Sequence, residues 1–281
     1  MTLSNTRQES NNPSSMKNAV YIFIAHMMVN SILLSAFNSS RCLYWTQIGF
    51  TSDEKWICNW YALAHFHLSV LLSCITVKAD SELLEKIAYL CTCIICCYIV
   101  EGVFILDITD RTFSIIQCIS FLGILLAIAL VSVKESSVDS NLSSSLFRKV
   151  KCYSSFDNRV KLPMASVAIF MQLISSFYRV IDMTYGEGRE AYLGDTTSLI
   201  YQSISNCAVC DMVLVALIFL FAFRFCNVEQ QKLVLCGHAF VLFISQVMLS
   251  SSQGERIDSK SRVSGSIGTF LFMVIALLGA S

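Results

Sequence analysis

Six ionisable side chains lie within or beside the long apolar stretches of this sequence. They are His65, His67, Glu101, Arg179, Asp182 and Asp211. A charge at the centre of a bilayer costs about 2.5–3.5 kcal/mol on insertion scales, so such groups are expected to face the interior of a helix bundle and to have partners. Two interpretations follow. The residues could line a water-accessible cavity for a small solute or protons, or they could only pair with one another and hold helices together.

Polar residues recur at helical spacing in two of the stretches, which predicts a polar stripe along one face of each helix. The stripes are His65, Ser69, Ser73 and Thr76 in the first stretch, and Gln172, Ser175, Ser176, Arg179 and Asp182 in the second. From the depth of each residue we expect Glu101 to lie near His65 or His67, and Asp211 to lie near Arg179. Both groups would then lie in the outer half of the membrane.

The sequence contains no convincing pattern for a metal, a cofactor or a catalytic nucleophile. His65 and His67 are two residues apart and point about 200° apart on a helix, so one helix cannot aim both at one ion. His26 and His238 are single histidines among apolar residues, a pattern typical of packing positions. The cysteines between 91 and 97 lie in an apolar stretch, where thiols act as small packing residues. We therefore predict no metal site, no cofactor and no catalytic residue.

Two covalent modifications are compatible with the first outer loop. Cys42 and Cys58 bracket this loop and could form a disulfide in an oxidising compartment. Asn38 begins an Asn-Ser-Ser glycosylation sequon, although it follows the first apolar stretch directly. Both predictions require this loop to face away from the cytosol.

The composition identifies the elements that must position these residues. Of the 281 residues, 55% are hydrophobic and only 14% are charged, whereas an ordinary soluble domain has about 25% charged residues. The net charge is zero, which gives no indication of a nucleic-acid partner. The expected partner is the lipid bilayer, together with other membrane proteins, and the oligomeric state is open.

Eight apolar stretches are long enough to cross about 30 Å of hydrocarbon as helices. They occupy residues 19–37, 60–77, 87–106, 113–133, 163–182, 207–226, 233–250 and 264–280. The last stretch is short, which leaves a seven-span alternative. The predicted fold class is an all-α polytopic membrane helix bundle with about eight transmembrane helices.

The distribution of lysine and arginine predicts the orientation. With eight spans, 12 of the 20 basic residues lie on the side of the N-terminus and 8 on the other. By the positive-inside rule both termini are cytosolic, in the plasma membrane or an endomembrane. The predicted parts are a disordered cytosolic tail (1–18), a first membrane half (19–133), a Ser-rich and basic cytosolic linker (134–162) and a second membrane half (163–281).

The two halves have the same order of spans, loops and short charged turns, and they could be parallel four-helix repeats. Each has one short charged inner turn, at 78–86 and at 224–232, and these turns begin and end with basic residues. Asn59 and Asn206 precede the second span of each half, while Cys91 and Cys236 follow the turns. Because four spans is an even number, such repeats would have the same orientation. The alternative is two unrelated runs of ordinary helices.

Three functions are compatible with these features. The first is a non-enzymatic multi-pass membrane protein that senses, scaffolds or assists other membrane components. The second is a small-solute or proton transporter or channel that uses the outer polar cluster. The third, a lipid-modifying membrane enzyme, would need polar groups that converge near headgroup depth.

Overall fold

The protein is an all-helical membrane bundle, as the composition predicts. A computed structural model describes residues 14–36, 52–104, 111–138, 163–185, 199–250 and 259–281. Every regular element in these ranges is an α-helix. The helices are α1 (Ser14–Ala36), α2 (Ser52–Val77), α3 (Ser81–Phe104), α4 (Arg111–Val138), α5 (Met164–Tyr185), α6 (Leu199–Phe225), α7 (Val228–Ser250) and α8 (Ser259–Ala280).

The helices extend beyond the predicted apolar stretches at several ends. α1 begins at Ser14, inside the segment assigned to the tail, and α4 continues to Val138, inside the segment assigned to the linker. A helix does not have to end where the hydrocarbon ends, because its backbone hydrogen bonds are internal and continue into the interfacial region. Asn38 and Cys42 lie outside the described residues, and the side chain of Asp182 is also not described.

Seven of the described helices are long and apolar enough to cross a membrane. The helix outside this set is α4, whose described apolar part is the shorter segment Cys118–Val131. The last helix, which the sequence left open, belongs to the set through Val263–Ala280. The protein is therefore an integral membrane protein, and the α4 crossing stays a prediction from the uncharged sequence 113–133.

The inner turns are closed by side chains that bond to the free backbone groups at helix ends. Asp80 accepts a hydrogen bond from the Leu83 amide at the start of α3, with an N–O distance of 2.8 Å. At the start of α7, Asn227 and Gln230 each accept from the other's backbone amide at 3.0 Å. Such caps satisfy amides that have no partner within the helix.

Several chain segments meet at one end of the bundle, and lysines concentrate there. Lys17 at the start of α1 donates to the Val77 carbonyl at the end of α2. Gln230 of α7 donates to the Lys78 carbonyl, and Lys232 donates to a backbone oxygen of Ser281 at the chain end. The start of α1, both inner turns and the end of α8 therefore share one side of the bundle.

The same packing order occurs in the first four helices and in the last four. In each set the first helix packs against the second, third and fourth, and the third packs against the fourth. Between the sets, α2 packs closely against α6 and α7, whereas α3 and α6 contact each other much less closely. Buried apolar side chains from all eight helices form one continuous core.

Glycine allows two close helix approaches. A Cβ atom on Gly237 of α7 would lie 2.7 Å from Cys74 Sγ of α2. A Cβ atom on Gly279 of α8 would lie 2.3 Å from Ala168 Cβ of α5 and 2.8 Å from Leu235 Cδ1 of α7. Small residues at helix crossings let backbones approach in lipid, where association depends on packing and hydrogen bonds.

Candidate functional site

Five side chains from α2, α3 and α6 form a buried group that we call the acid–histidine cluster: Tyr61, His65, Tyr98, Glu101 and Asp211. His65 Nδ1 lies 3.0 Å from Asp211 Oδ2. Tyr98 donates a hydrogen bond to Asp211 Oδ1 at 2.6 Å, and Tyr61 donates to Glu101 Oε2 at 3.3 Å. His65 and Asp211 are 0% exposed and Glu101 is 7% exposed. The cluster joins the second helices of the two sets through His65 and Asp211.

The surroundings of His65 determine which ring nitrogen carries a proton. Nδ1 lies close to two acceptors, Asp211 Oδ2 at 3.0 Å and the Tyr61 carbonyl at 3.2 Å. Because neither neighbour can donate in its ordinary form, Nδ1 is assigned the proton. The ring is held against the Tyr61 ring at 4.4 Å and the Tyr98 ring at 4.8 Å between centroids. The histidine is thus fixed in both tautomer and orientation.

Three polar atoms of the cluster are buried and have unfilled hydrogen-bonding capacity among the described residues. They are His65 Nε2, Glu101 Oε1 and Asp211 Oδ2. Asp211 Oδ2 lies 3.0 Å from His65 Nδ1, without the alignment of a hydrogen bond. Most buried polar side chains in proteins are hydrogen-bonded, so these atoms are exceptions; others, such as His26 Nε2 and Trp56 Nε1, lie outside the cluster.

A second polar group, which we call the histidine relay, crosses four helices. His67 Nε2 of α2 lies 2.8 Å from His238 Nδ1 of α7, and His238 Nε2 lies 3.0 Å from Gln172 Oε1 of α5. Gln172 Nε2 in turn donates to the Phe272 carbonyl of α8 at 2.9 Å. One set of neutral tautomers satisfies the chain, because each donor faces an acceptor from His67 Nε2 through to Phe272.

The structure places four of the six predicted residues in these two groups: His65, Glu101 and Asp211 in the cluster and His67 in the relay. Glu101 and His65 belong to one cluster, with Tyr61 between them, and Asp211 joins them through His65. The Arg179 guanidinium lies 5.5 Å from the Phe272 ring and within electrostatic reach of His67 and His238. The pairing of Asp211 with Arg179 stays a prediction. So do the role of Asp182 and the disulfide of buried Cys58, because the Asp182 side chain and Cys42 are not described.

Sequence reasoning did not identify Tyr61, Tyr98 or His238 as members of a site. Tyr61 lies four residues before His65, and Tyr98 lies three residues before Glu101. Helical spacing could therefore have indicated that the tyrosines share faces with these residues. His238 was expected to be a packing residue with satisfied polar atoms; it is buried, and both of its ring nitrogens lie at hydrogen-bonding distance from other side chains. Its partners lie on other helices, and a single sequence does not predict them.

Replacing Gln172 tests whether the histidine relay contributes to stability. A Gln172→Leu variant removes the acceptor for His238 and the donor for the Phe272 carbonyl. We expect a loss of about 1–2 kcal/mol of unfolding free energy, above the average of about 0.6 kcal/mol for one interhelical bond. Unfolding in mixed micelles would measure it. Ser176→Ala is the matched control, since Ser176 bonds within its own helix; equal losses would contradict the relay.

Neither a metal site nor a related protein assigns a role to these groups. Within the described ranges, no three His, Cys, Asp or Glu side chains are grouped so that they could hold a metal ion. Comparisons with protein-family models, with curated proteins and with solved structures give no match. The function must therefore be inferred from the chemistry of the two polar groups.

Proposed function

We propose that this integral membrane protein is non-enzymatic and acts as a sensor, with the acid–histidine cluster as its input. The observation that carries the proposal is the position of Asp211. This carboxyl belongs to the second set of helices and is held by His65 and Tyr98 of the first set. A change in the charge or the partners of Asp211 therefore acts directly on the contact between the sets. Such a contact can have two arrangements, which is what a switch requires.

We also propose that the two sets of four helices are parallel repeats. The repeated packing order of the helices supports this. The sequence supports it too, because Lys78 and Arg224 at the start of the inner turns are 146 residues apart, as are Lys86 and Lys232 at their ends. His65 and Asp211 have the same separation and lie in contact. A pseudo-twofold axis along the membrane normal would bring equivalent positions of α2 and α6 together in this way.

The proposed orientation has both termini in the cytosol. The end of the bundle that contains the start of α1, both inner turns and the end of α8 carries Lys17, Lys78 and Lys232, in agreement with the positive-inside rule. Glu101 is 20 residues beyond the start of α3, which corresponds to about 30 Å along a helix. The acid–histidine cluster then lies toward the outer surface of the membrane, and the sensor would respond to a signal on that side.

An Asp211→Asn variant tests the sensing function. Asparagine keeps the shape of the side chain and an acceptor for Tyr98 but removes the charge beside His65. If the cluster is coupled to the cytosolic end, the alkylation rate of buried Cys226 should change by at least about fivefold in lipid nanodiscs. Cys226 is 15 residues beyond Asp211, or about 22 Å along the helix axis. Site-resolved mass spectrometry gives the rate for each cysteine.

Two further variants make the result interpretable. Glu229→Gln removes an exposed carboxylate near Cys226, with Lys78 as its 4.0 Å partner, and should leave the rate unchanged. Tyr98→Phe removes one hydrogen bond to Asp211 and should shift the rate in the same direction by less. If Asp211→Asn changes the alkylation rates of only Cys207 and Cys210, which lie beside the cluster, then His65 and Asp211 form a local structural contact. The sensing proposal then fails.

A small-solute or proton transporter is the second candidate, and the unfilled polar atoms favour it. His65 Nε2 and Glu101 Oε1 are buried without partners among the described residues, close to the contact between the two sets of helices. Transporters built from repeats place their binding sites at the repeat interface. In reconstituted vesicles the same Asp211→Asn protein would then lose acid-driven proton uptake that the native protein supports. If the native protein takes up no protons, the proton-transporter function is excluded.

A further inference from the structure

The acid–histidine cluster lies directly behind a cysteine-lined part of the lipid-facing surface. Cys97 of α3 and Cys210 of α6 are exposed, and the Cys210 thiol lies within hydrogen-bonding reach of the Glu101 carboxyl. Glu101 is therefore one layer of side chains below this surface. We call the surface, bounded by Cys97, Glu101 and Cys210, the α3–α6 groove.

At this surface α3 and α6 make few contacts with each other. In the repeated packing order, the contact of α6 with α3 corresponds to the contact of α2 with α7. The α2–α7 contact is tight, with Gly237 so close to Val70 and Cys74 that a Cβ atom would have no room. The α3–α6 contact is much less extensive. One of two corresponding contacts is thus closely packed and the other is not, and Glu101 lies beside the second.

Glu101 has the chemistry of a receptor for a donor group. Its Oε1 is buried and has no partner among the described residues, while its Oε2 accepts from Tyr61. The hydroxyls of Tyr61 and Tyr98 are already engaged with Glu101 and Asp211. The cluster thus has two carboxyls beside one imidazole, and a ligand that brings several donors and a positive charge would complement it.

The depth of Glu101 indicates how such a ligand arrives. Glu101 ends the membrane-spanning part of α3, Ser81–Glu101, at about the full hydrocarbon thickness from the inner turn. The head group of an amphiphile in the outer leaflet lies at this depth, while its chain lies beside the exposed thiols and Val100. A water-soluble ligand would have no such alignment with a lipid-facing surface.

On the premise of the sensing function proposed above, we infer that the α3–α6 groove binds a long-chain primary amine that enters sideways from the outer leaflet. Its ammonium group bonds to Glu101 Oε1, and its alkyl chain lies between α3 and α6 over Cys97 and Cys210. The amine is the input that the cluster senses, because its charge lies next to the carboxyl that shares a cluster with Asp211.

Protection of single cysteines in the native protein tests this inference. With dodecylamine as the probe in phosphatidylcholine nanodiscs, alkylation of Cys210 should slow as the amine is added. Dodecanol, which has the same chain without the charge, should give little protection. Cys236 is an exposed thiol on α7, away from the groove, and its rate should not change. Equal protection by dodecanol, or equal protection of Cys236, would overturn the inference.

A Glu101→Gln variant adds a second measurement. The amide keeps the size of the side chain but cannot become a carboxylate beside the ammonium group, so the dodecylamine concentration for half-protection of Cys210 should rise by more than about tenfold. Glu85→Gln changes an exposed carboxylate on the same helix and should have no effect. Unchanged protection in Glu101→Gln would overturn the inference. If that variant does not fold, the comparison of amine with alcohol on the native protein decides.

The two proposals can fail separately. If dodecylamine does not protect Cys210 but Asp211→Asn still changes the rate at Cys226, the sensing function stands and the amine is not its ligand. If dodecylamine protects Cys210 and Asp211→Asn leaves Cys226 unchanged, the groove is a binding site without coupling to the cytosolic end.

Discussion

Replacing His65 with phenylalanine is expected to destabilise the protein by about 3 kcal/mol, because it leaves Asp211 buried without its basic partner. Phenylalanine keeps an aromatic ring against Tyr61 and Tyr98, so most of the packing is retained. The loss should exceed the maximum of about 1.7 kcal/mol measured for single interhelical hydrogen bonds. Reversible unfolding in mixed micelles provides the free energies.

The double variant His65→Phe/Asp211→Leu separates pairing from packing. Removing both partners leaves no unpaired charge, so its loss should be clearly smaller than the sum of the two single losses. The exposed pair Lys86 and Glu82, with an N–O distance of 2.6 Å, is the control. A double-mutant cycle on Lys86 and Glu82 should give a coupling energy of less than about 1 kcal/mol. Additive losses at His65 and Asp211 would mean that the two side chains do not act as a unit.

The second large effect is expected at Gly279, where α8 contacts α5 and α7. A Cβ atom there would lie 2.3 Å from Ala168 Cβ, an atom attached directly to the backbone, so the helices must separate to admit any side chain. We expect Gly279→Val to cost about 1–3 kcal/mol through overpacking. Gly268→Val is the matched control, because a Cβ atom at Gly268 of the same helix meets nothing within 4 Å.

Thermal unfolding in detergent would compare these two glycine variants. Valine has the same intrinsic helix propensity in both, so the difference between them isolates the contact at Gly279. Equal stability of the two variants would show that α8 is not packed against α5 and α7 at this position. Increased proteolysis of α8 in Gly279→Val alone would support detachment of this helix from the bundle.

The class of the protein and the course of its helices follow from local sequence. A stretch such as 207–226 is apolar over the length that hydrocarbon requires, and in lipid its backbone must form its own hydrogen bonds. The buried positions of His65, Ser69 and Thr76 on α2 also agree with the stripe that their spacing predicts, because helical periodicity is a property of one segment.

The partners of these residues could not be predicted in the same way. Both carboxyls of the cluster are bonded to tyrosines, Tyr61 and Tyr98, and a tyrosine in an apolar helix resembles any other aromatic packing residue. His238 was expected to be a packing residue, and its particular partners, His67 and Gln172, were not predicted. These contacts depend on which helices are neighbours in the plane of the membrane, and a single helix does not contain that information.

The amino-acid sequence by itself determined that this chain is a multi-pass helical membrane protein and which residues are costly to immerse in lipid, because both depend only on hydrocarbon thickness and transfer energies. Only the tertiary structure decided that His65 meets Asp211 and that α2 and α7 close tightly at Gly237 while α3 and α6 do not. Lateral packing is settled by shape complementarity between whole helix surfaces, so it emerges only when all the helices are assembled.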